Sequence, residues 1–235
     1  MKKNTLLLSV ILPTFNEVDN IIPLIREICE KLKRIDYEII VVDDDSPDST
    51  ANKVMQEYSN KTNIKTYIRT ENPGLANSIL FGLSKAVGRY ICIMDTDFNH
   101  DPKDIPKMLA TIPDADIVIG SRYIKGGGME NRLRHYLSLI YNKFIKTVLN
   151  LPTYDNLSGF FVADRRKILK LDTTKIFSGY GDYFIVLLYL SNLSGYKIKE
   201  IPVFYKNRMY GFSKSKFFPM FIGYSKTVLK LIKSK

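Results

Sequence analysis

Two short runs of acidic residues carry the clearest chemical potential in this sequence. Each follows a short apolar stretch: Asp43-Asp44-Asp45 comes after residues 39–42, and Asp95-Thr96-Asp97 comes after residues 91–94. Two carboxylates separated by one residue, just past a strand, can both face one hard divalent cation. Such oxygen ligands suit Mg²⁺ or Mn²⁺, which typically bridges to substrate phosphates. Solvated acidic turns have the same spacing, so both a metal–diphosphate site and a plain turn are open from this motif alone.

Alternating apolar patterns predict the elements that must position these carboxylates. Short apolar runs predict strands at 7–12, 38–42, 66–69, 90–94, 116–119 and 197–203. Helical spacing predicts helices at 16–33, 75–86, 133–149 and 179–194. This alternation predicts an α/β fold with a doubly wound, mostly parallel sheet in a single domain. Ligands of such sheets bind beyond the carboxyl ends of the strands, where both acidic runs lie.

Charge is unevenly distributed along the 235 residues, whose formal net charge is +11. Residues 1–120 hold 14 basic and 18 acidic residues, a net of −4, and residues 121–235 hold 21 and 6, a net of +15. An acidic first half and a basic second half suggest two surfaces with different partners. A hydrophobic content of 45% excludes a disordered chain.

Several functional classes are disfavoured by what the sequence lacks. Neither a GxxxxGK[ST] loop nor a G-x-G-x-x-G after the first strand is present, which argues against a P-loop ATPase or a hydride-transfer enzyme. Two cysteines without CxxC spacing predict free thiols, and two histidines make a His-rich zinc site improbable. The apolar run at 6–12 ends at Pro13 without a cleavage site, so we expect a buried strand rather than a secretory signal. No stretch reaches the ~18–20 apolar residues of a spanning helix.

Three motifs stand in register along the first half of the chain: Ser9–Glu17 (SVILPTFNE), Val41–Asp48 (VVDDDSPD) and Met94–Asp97 (MDTD). Together they resemble family 2 glycosyltransferases of the GT-A (Rossmann-like) fold. Within that family, Asp101–Pro106, Gly120–Tyr123 and Arg208–Lys214 resemble the dolichol-phosphate mannose synthase, or polyprenyl-phosphate glycosyltransferase, branch. The resemblance covers residues 8–216 approximately.

The resemblance implies roles for residues of the first half. Residues that would hold the nucleoside of a nucleotide-sugar are Pro13, Phe15, Glu17, Val42 and Asp44. Asp95, Thr96 and Asp97 would hold the diphosphate through Mg²⁺ or Mn²⁺, with Asn99 as a further metal ligand. Phe15 stands where Tyr is more usual. For Glu17 the alternative is a charge in the first turn of a helix, favourable to its dipole.

The basic half has candidate phosphate-binding residues. By the resemblance, Arg122, Arg208 and Lys214 would neutralise donor phosphates, and Asp97, Arg208 and Arg122 would be the catalytic set. Guanidinium groups suit bidentate phosphate binding. An acceptor phosphate could be clamped by Arg132, Arg134 and His135, which follow the glycine run 126–128; surface cations are the alternative.

Two acidic positions in the second half have two interpretations each. Asp155 and the segment Ser158–Phe160 resemble a part of the family that lines the acceptor side, or they form a structural turn. Asp182 is either a general base or a partner of a helix N-terminus.

The last segment predicts an amphipathic helix. One face would be apolar and the other basic: Phe217, Phe221, Tyr224, Val228 and Leu231 against Lys226, Lys230 and Lys233. This pattern fits a helix in a membrane interface, or one that packs on the protein's own core or on a membrane partner. We therefore predict a GT-A domain at 1–205 and, at 206–235, a basic segment that closes over the donor, followed by the interfacial helix.

The resulting hypothesis is a metal-dependent inverting transferase, peripheral at the cytoplasmic face of a membrane. It would move a sugar from a nucleotide-sugar, GDP-mannose first and UDP-glucose second, to a polyprenyl phosphate, with a separate membrane-anchoring subunit as a further possible partner. The alternative is a family 2 transferase with a saccharide acceptor, which would need a base such as Asp182. A nucleic-acid-binding module is disfavoured because its motifs are missing, and a non-catalytic sensor is disfavoured by the intact Asp95-x-Asp97.

Overall fold

The computed structural model describes residues 7–208 and 217–233. The strands are β1 (Leu8–Thr14), β2 (Tyr37–Asp43), β3 (Ile64–Ile68), β4 (Tyr90–Ile93), β5 (Ile117–Ser121), β6 (Gly128–Met129), β7 (Phe161–Asp164), β8 (Ile198–Pro202) and β9 (Phe204–Tyr205). The helices are α1 (Ile21–Lys31), α2 (Thr50–Glu57), α3 (Leu75–Lys85), α4 (Ile105–Thr111), α5 (Arg132–Leu149), α6 (Arg165–Leu169), α7 (Thr173–Ile176), α8 (Tyr183–Leu193) and α9 (Phe217–Lys233).

Seven strands form one sheet in the order β3-β2-β1-β4-β7-β5-β8. All neighbouring pairs are parallel except those of β7, which runs antiparallel to both β4 and β5. The predicted α/β, mostly parallel sheet is therefore confirmed, and each predicted strand and helix is present with shifted ends. The antiparallel strand β7 was not predicted.

Both faces of the sheet are covered by helices, which explains the continuous apolar runs in its strands. Along β1, Val10 and Leu12 face a cluster that includes α1, whereas Ile11 faces the cluster that includes α3 and α8. α3 lies so close to the sheet that a β-carbon at Gly82 would collide with the Ile11 side chain. Close packing of α3 holds the strands in position, and the loops at their carboxyl ends therefore begin from well-packed residues.

The α9 helix packs on the protein with the face that we predicted for a membrane. Val228 is fully buried and Leu231 is 4% exposed, both in the cluster with α8. Tyr224 packs against the same cluster, and the Phe217 side chain lies outside the described residues. The prediction that this face lies in a membrane interface is wrong for these residues, because they complete the protein's own core. None of the described helices has both the length and the apolarity to cross a bilayer.

A buried carboxylate links β1, β2 and β3 near their amino ends, at the side of the sheet opposite the acidic runs. Glu38, 2% exposed, accepts hydrogen bonds from Ser9 Oγ at 2.7 Å, Val87 N at 2.9 Å and Lys65 Nζ at 2.8 Å. Burial alone would raise the pKa of Glu38, but these donors outweigh burial and hold the pKa below its usual range. The carboxylate therefore stabilises the folded protein most when it is ionised.

Replacing Glu38 by alanine should lower the free energy of unfolding by about 3 kcal/mol, because Lys65 and two further donors lose their partner. In wild type the contribution of Glu38 is present at neutral pH and is lost as the pH falls through its lowered folded-state pKa. Urea unfolding at pH 7 and at pH 4 measures both effects. Glu57→Ala, which removes an exposed ion pair with Arg26, is the matched control and should change little. Equal effects of the two substitutions would contradict this account.

Candidate active site

A cleft of about 540 Å³ opens at the carboxyl ends of β1, β2 and β4. Eleven of the predicted site residues line it: Pro13, Phe15, Glu17, Asp44, Asp95, Thr96, Asp97, Asn99, Arg122, Arg134 and Arg208. These residues come from segments almost 200 positions apart in sequence. The structure therefore brings nearly the whole predicted set into one cavity.

Two of the predicted site residues, Val42 and Lys214, are not among these eleven. Val42 is fully buried in the core, with its side chain beneath Gly82 of α3. Because side chains alternate along a strand, Val42 points into the layer of α3 and its side chain cannot reach a nucleoside, which corrects that prediction. Lys214 lies outside the described residues.

Asp44 forms the wall at the end of β2 and is held by protein donors. Its Oδ1 accepts from Arg69 Nη1 at 2.8 Å and Ser78 Oγ at 2.7 Å, and its Oδ2 accepts from Gly74 N at 2.6 Å. Gly74 and Ser78 also line the cleft, at the start of α3. Asp44 is therefore a fixed acceptor in the wall, and the residues around it were missed because only the fold brings them there.

Asp95 and Asp97 lie at the floor of the cleft, in the loop that follows β4. The Asp95 side chain is 47% exposed, where it lines the cleft. Because the surrounding protein desolvates the carboxylate, the pKa of Asp95 rises to about 6, against the opposing effect of the Arg208 charge. Burial also raises the pKa of Asp97, and the neighbouring Asp95 raises it further. Two close carboxylates in this setting carry negative charge that a cation would relieve.

The donor set at this floor fits a divalent cation. Asn99 Nδ2 donates to Asp97 Oδ2 at 2.7 Å, so its amide lies beside the Asp97 carboxylate. Within residues 7–208 and 217–233, no group of three or more acidic, histidine or cysteine side chains converges as a metal cage. Two carboxylates and an amide match the way Mg²⁺ is usually held, with substrate phosphates completing its shell.

Arg208 spans the floor of the cleft. Its Nη1 donates to Glu17 Oε1 at 3.0 Å, and its Nη2 donates to Asp97 Oδ2 at 2.9 Å. Glu17 Oε2 also accepts from Asn20 Nδ2 at 2.7 Å, and α1 begins only at Ile21. Glu17 thus lies in the cleft wall and not within the first turn of the helix.

Arg122 is 5% exposed and is paired with a fully buried aspartate. Its Nε and Nη2 donate to Asp155 at 2.7 Å each, and the Arg122 backbone N–H donates to the same carboxylate. Burial alone would lower the pKa of Arg122, but Asp155 raises it above its usual value, so the guanidinium stays charged. Asp155 therefore positions Arg122 from behind and does not itself line the cleft, whereas Ser158 does.

The remaining candidates divide between cleft and surface. Arg134 lines the cleft, Arg132 is exposed outside it, and the His135 ring packs 5.0 Å from that of Tyr123. Asp182 precedes α8, where its carboxylate accepts from Tyr180 N at 2.8 Å and Thr227 Oγ1 at 2.7 Å. Asp182 does not line the cleft, so its geometry is that of a link between α8 and α9.

Aromatic residues form the wall that sequence patterns did not reveal. Tyr183, Tyr205 and Tyr224 all line the cleft, and burial raises the pKa of each. Their hydroxyls are therefore neutral donors at physiological pH. Tyr224 lies against Gly181, where any β-carbon would collide with its hydroxyl. This contact brings α9 to the cleft.

The sequence of residues 9–171 matches the model of glycosyl transferase family 2. The chain belongs to this family. Among curated proteins it is 37% identical over 214 residues to dolichol-phosphate mannosyltransferase of Pyrococcus furiosus, with 88% of this chain and 59% of that protein covered. It is 28% identical over 211 residues to undecaprenyl-phosphate mannosyltransferase of Micrococcus luteus, with 87% and 85% covered. The chain thus spans about three fifths of the length of the first relative and most of the second.

Solved structures of other proteins share this fold. Glucosyl-3-phosphoglycerate synthase of Mycobacterium tuberculosis, in complex with Mn²⁺, UDP and phosphoglyceric acid, superposes with a TM-score of 0.71 at 18% identity, covering 97% of this chain and 78% of that one. The same synthase with Mg²⁺ and UDP gives a TM-score of 0.70 at 19% identity, covering 97% and 78%. The expected GT-A fold of this family 2 member is confirmed.

Proposed function

We propose that this protein transfers a sugar from a nucleotide-sugar to the phosphate of a polyprenyl phosphate, with inversion at the anomeric carbon. The observation that carries the proposal is the single cleft that combines an acidic floor, Asp95 and Asp97, with three arginines, Arg122, Arg134 and Arg208. The names of the two mannosyltransferase relatives support a lipid phosphate as acceptor and mannose as the sugar. GDP-mannose is the proposed donor, and UDP-glucose is the next to be tested.

The reaction needs little proton transfer. An oxygen of the acceptor phosphate forms the new bond to the anomeric carbon as the bond to the nucleoside diphosphate breaks, and the electron pair leaves with that diphosphate. Because the nucleophile is already an anion, no strong general base is required. The position of Asp182 outside the cleft supports this acceptor over a saccharide hydroxyl.

Some residues of the cleft would bind the donor and others the acceptor. A divalent cation, Mg²⁺ or Mn²⁺, would be held by Asp95, Asp97 and Asn99 and would neutralise charge on the leaving diphosphate. Glu17 and Asp44 would accept hydrogen bonds from the nucleoside, with Pro13 and Phe15 beside it. Arg208 would stabilise the departing diphosphate and Arg134 the acceptor phosphate, because guanidinium groups bind phosphate in a bidentate manner. Arg122, held in place by Asp155, would also neutralise charge on the donor phosphates.

Purified protein tested with a panel of nucleotide-sugars and a short polyprenyl phosphate in detergent provides the direct test. We expect transfer from GDP-mannose that depends on Mg²⁺ or Mn²⁺ and a product of inverted anomeric configuration, determined by NMR. Transfer to saccharides but to no lipid phosphate would contradict the proposal, as would metal-independent turnover.

The protein surface supports a membrane as the source of the acceptor. Half of the 18 large apolar side chains that are exposed among the described residues lie on α5 and α9: Leu133, Tyr136, Leu137, Ile140, Phe144, Phe221, Ile222, Leu229 and Ile232. The two helices are neighbours, since the Tyr141 and Phe221 rings lie 4.7 Å apart. Together they carry seven lysines and arginines and no acidic residue.

This combination is suited to an anionic bilayer surface, where apolar side chains enter the interface and basic ones meet the headgroups. Arg134 and Tyr224 of the same two helices line the cleft, so docking here would bring its acceptor side close to the lipid. We propose on this argument that the protein docks on a membrane surface. The cytoplasmic face, and a separate anchoring subunit as a further partner, are additional parts of the proposal. The segment 206–235 would then both close over the donor and contribute to docking.

Leu133→Asp combined with Ile140→Asp should weaken binding to vesicles that contain phosphatidylglycerol by about tenfold or more, because two exposed apolar side chains are lost and two like charges are added. Co-sedimentation at fixed ionic strength measures the binding. Met55→Asp, on the exposed side of α2, is the control and should bind as wild type does. A similar loss in both variants, or no vesicle binding by wild type, would contradict the proposed docking surface.

A further inference from the structure

His100 is buried beneath the floor of the cleft and does not itself line it. It is 1% exposed, and its Nδ1 accepts a hydrogen bond from the backbone N–H of Asp95 at 2.9 Å. An imidazole nitrogen that accepts carries no proton, so the ring proton lies on Nε2. This bond closes the loop between positions 95 and 100, which contains the two carboxylates.

The imidazole is held by aromatic neighbours. It stacks on Phe160, with ring centroids 4.7 Å apart and planes 11° apart, and meets Tyr205 edge-on at 4.8 Å. Within the same loop Phe98 adopts a left-handed conformation with φ of 66°. Such a conformation is unfavourable for a non-glycine residue, so the loop depends on its surroundings to keep this shape. His100 is the side chain that ties both ends of the loop together.

The second ring nitrogen faces the carboxylate of the same aspartate. Nε2 lies 3.8 Å from Asp95 Oδ2, beyond hydrogen-bond distance but close enough for a small side-chain rotation to form one. A backbone group of Ser158 also interacts with the imidazole, although no side chain or backbone group of the described residues makes a hydrogen bond of normal geometry with Nε2. Buried donors of this kind are rare unless a partner is brought to them.

We propose that His100 is a positioning residue for the metal site: Nδ1 fixes the backbone of Asp95, and Nε2–H orients its carboxylate for a divalent cation. The inference rests on the proposed metal-binding role of Asp95 and Asp97. In metal sites such indirect partners fix the geometry of the ligands, and their removal typically weakens metal affinity about 10- to 100-fold.

Substitutions at position 100 separate the two nitrogen functions. His100→Phe keeps an aromatic ring for stacking and loses both nitrogens, so its affinity for Mn²⁺ should fall about 10- to 100-fold. His100→Asn offers an amide oxygen near the place of Nδ1, and His100→Gln offers an amide near the place of Nε2, so each should show a smaller loss than His100→Phe. Titration of the full chain with Mn²⁺ alone, with free Mn²⁺ determined by electron paramagnetic resonance, measures affinity without turnover.

Two controls distinguish positioning from packing and from failure of the metal site itself. Met108→Ala creates a cavity in the layer beside Phe160 and should lower thermal stability without a change in Mn²⁺ affinity. Asp97→Asn should weaken Mn²⁺ binding directly.

Wild-type affinity in His100→Phe, with Asp97→Asn impaired, would overturn the role of His100 and leave the metal site intact. Unchanged affinity in both would overturn the metal site. Should His100→Phe not fold, wild-type affinity in both His100→Asn and His100→Gln would overturn the proposal.

Discussion

Asp97→Asn should lower the rate of metal-dependent sugar transfer by about a thousandfold. The substitution keeps the size and shape of the side chain but removes a charge from the floor of the cleft, where Asp97 faces Arg208 and the Asn99 amide. Groups that stabilise developing charge in an active site are typically worth 10²- to 10³-fold each, and loss of a metal ligand adds to this effect. The initial rate with saturating donor and lipid phosphate measures the effect.

A matched control for this charge change lies on the neighbouring loop. Asp45 is exposed and adopts a left-handed conformation with φ of 56°, which asparagine tolerates well. Asp45→Asn therefore neutralises an acidic residue near the same edge of the sheet without strain and should leave the rate within about twofold of wild type. Additional Mg²⁺ should recover part of the activity of Asp97→Asn if the lost function is metal binding. A rate near that of wild type in Asp97→Asn would rule out the proposed mechanism.

The sheet and most of the site were predictable because they depend on local patterns. A strand buried on both faces must be apolar throughout, and an acidic residue at its end is then a visible boundary. This is why the strands before Asp44 and Asp95 were predicted correctly. β7 was missed because its place between β4 and β5 is set by antiparallel pairing with distant strands. The apolar run from Phe160 to Ala163 is the signal that could have revealed it.

The errors at the site have a similar origin. The resemblance identified Val42 by its place in a motif, but strand alternation turns its side chain toward α3. Arg69 and Asp155 were not recognised as the partners of Asp44 and Arg122, because each pair joins residues more than 20 positions apart. The α9 helix was predicted as amphipathic, but amphipathicity does not distinguish a core from a membrane as the apolar partner, and here the core takes Val228 and Leu231. Such features depend on tertiary contacts that periodicity does not encode.

Arg208→Ala should change catalysis and metal binding in opposite directions. The guanidinium donates to Asp97 Oδ2 in this structure, and that oxygen is one of those proposed to hold the cation. In the free protein Arg208 therefore competes with the cation for Asp97, so its removal should tighten binding of Mn²⁺ alone by several-fold, because a nearby positive charge is lost. Transfer should nevertheless slow by about 10²- to 10³-fold, since the departing diphosphate loses a donor of two hydrogen bonds.

Arg208→Lys separates charge from geometry in the same experiment. A lysine retains the positive charge but not the planar fork that reaches both Glu17 and Asp97, so we expect Mn²⁺ affinity near that of wild type and a rate still reduced more than tenfold. The control is Lys206→Ala, two residues before Arg208. It removes a cation that is paired with Asp101 and should alter neither measurement strongly. Weaker Mn²⁺ binding in Arg208→Ala would contradict the competition, and an unchanged rate would contradict the role of Arg208 in transfer. The opposite signs matter because general unfolding of the cleft would weaken both Mn²⁺ binding and transfer. A residue that leaves the metal-binding carboxylate for the substrate would instead give tighter Mn²⁺ binding and slower transfer when it is removed.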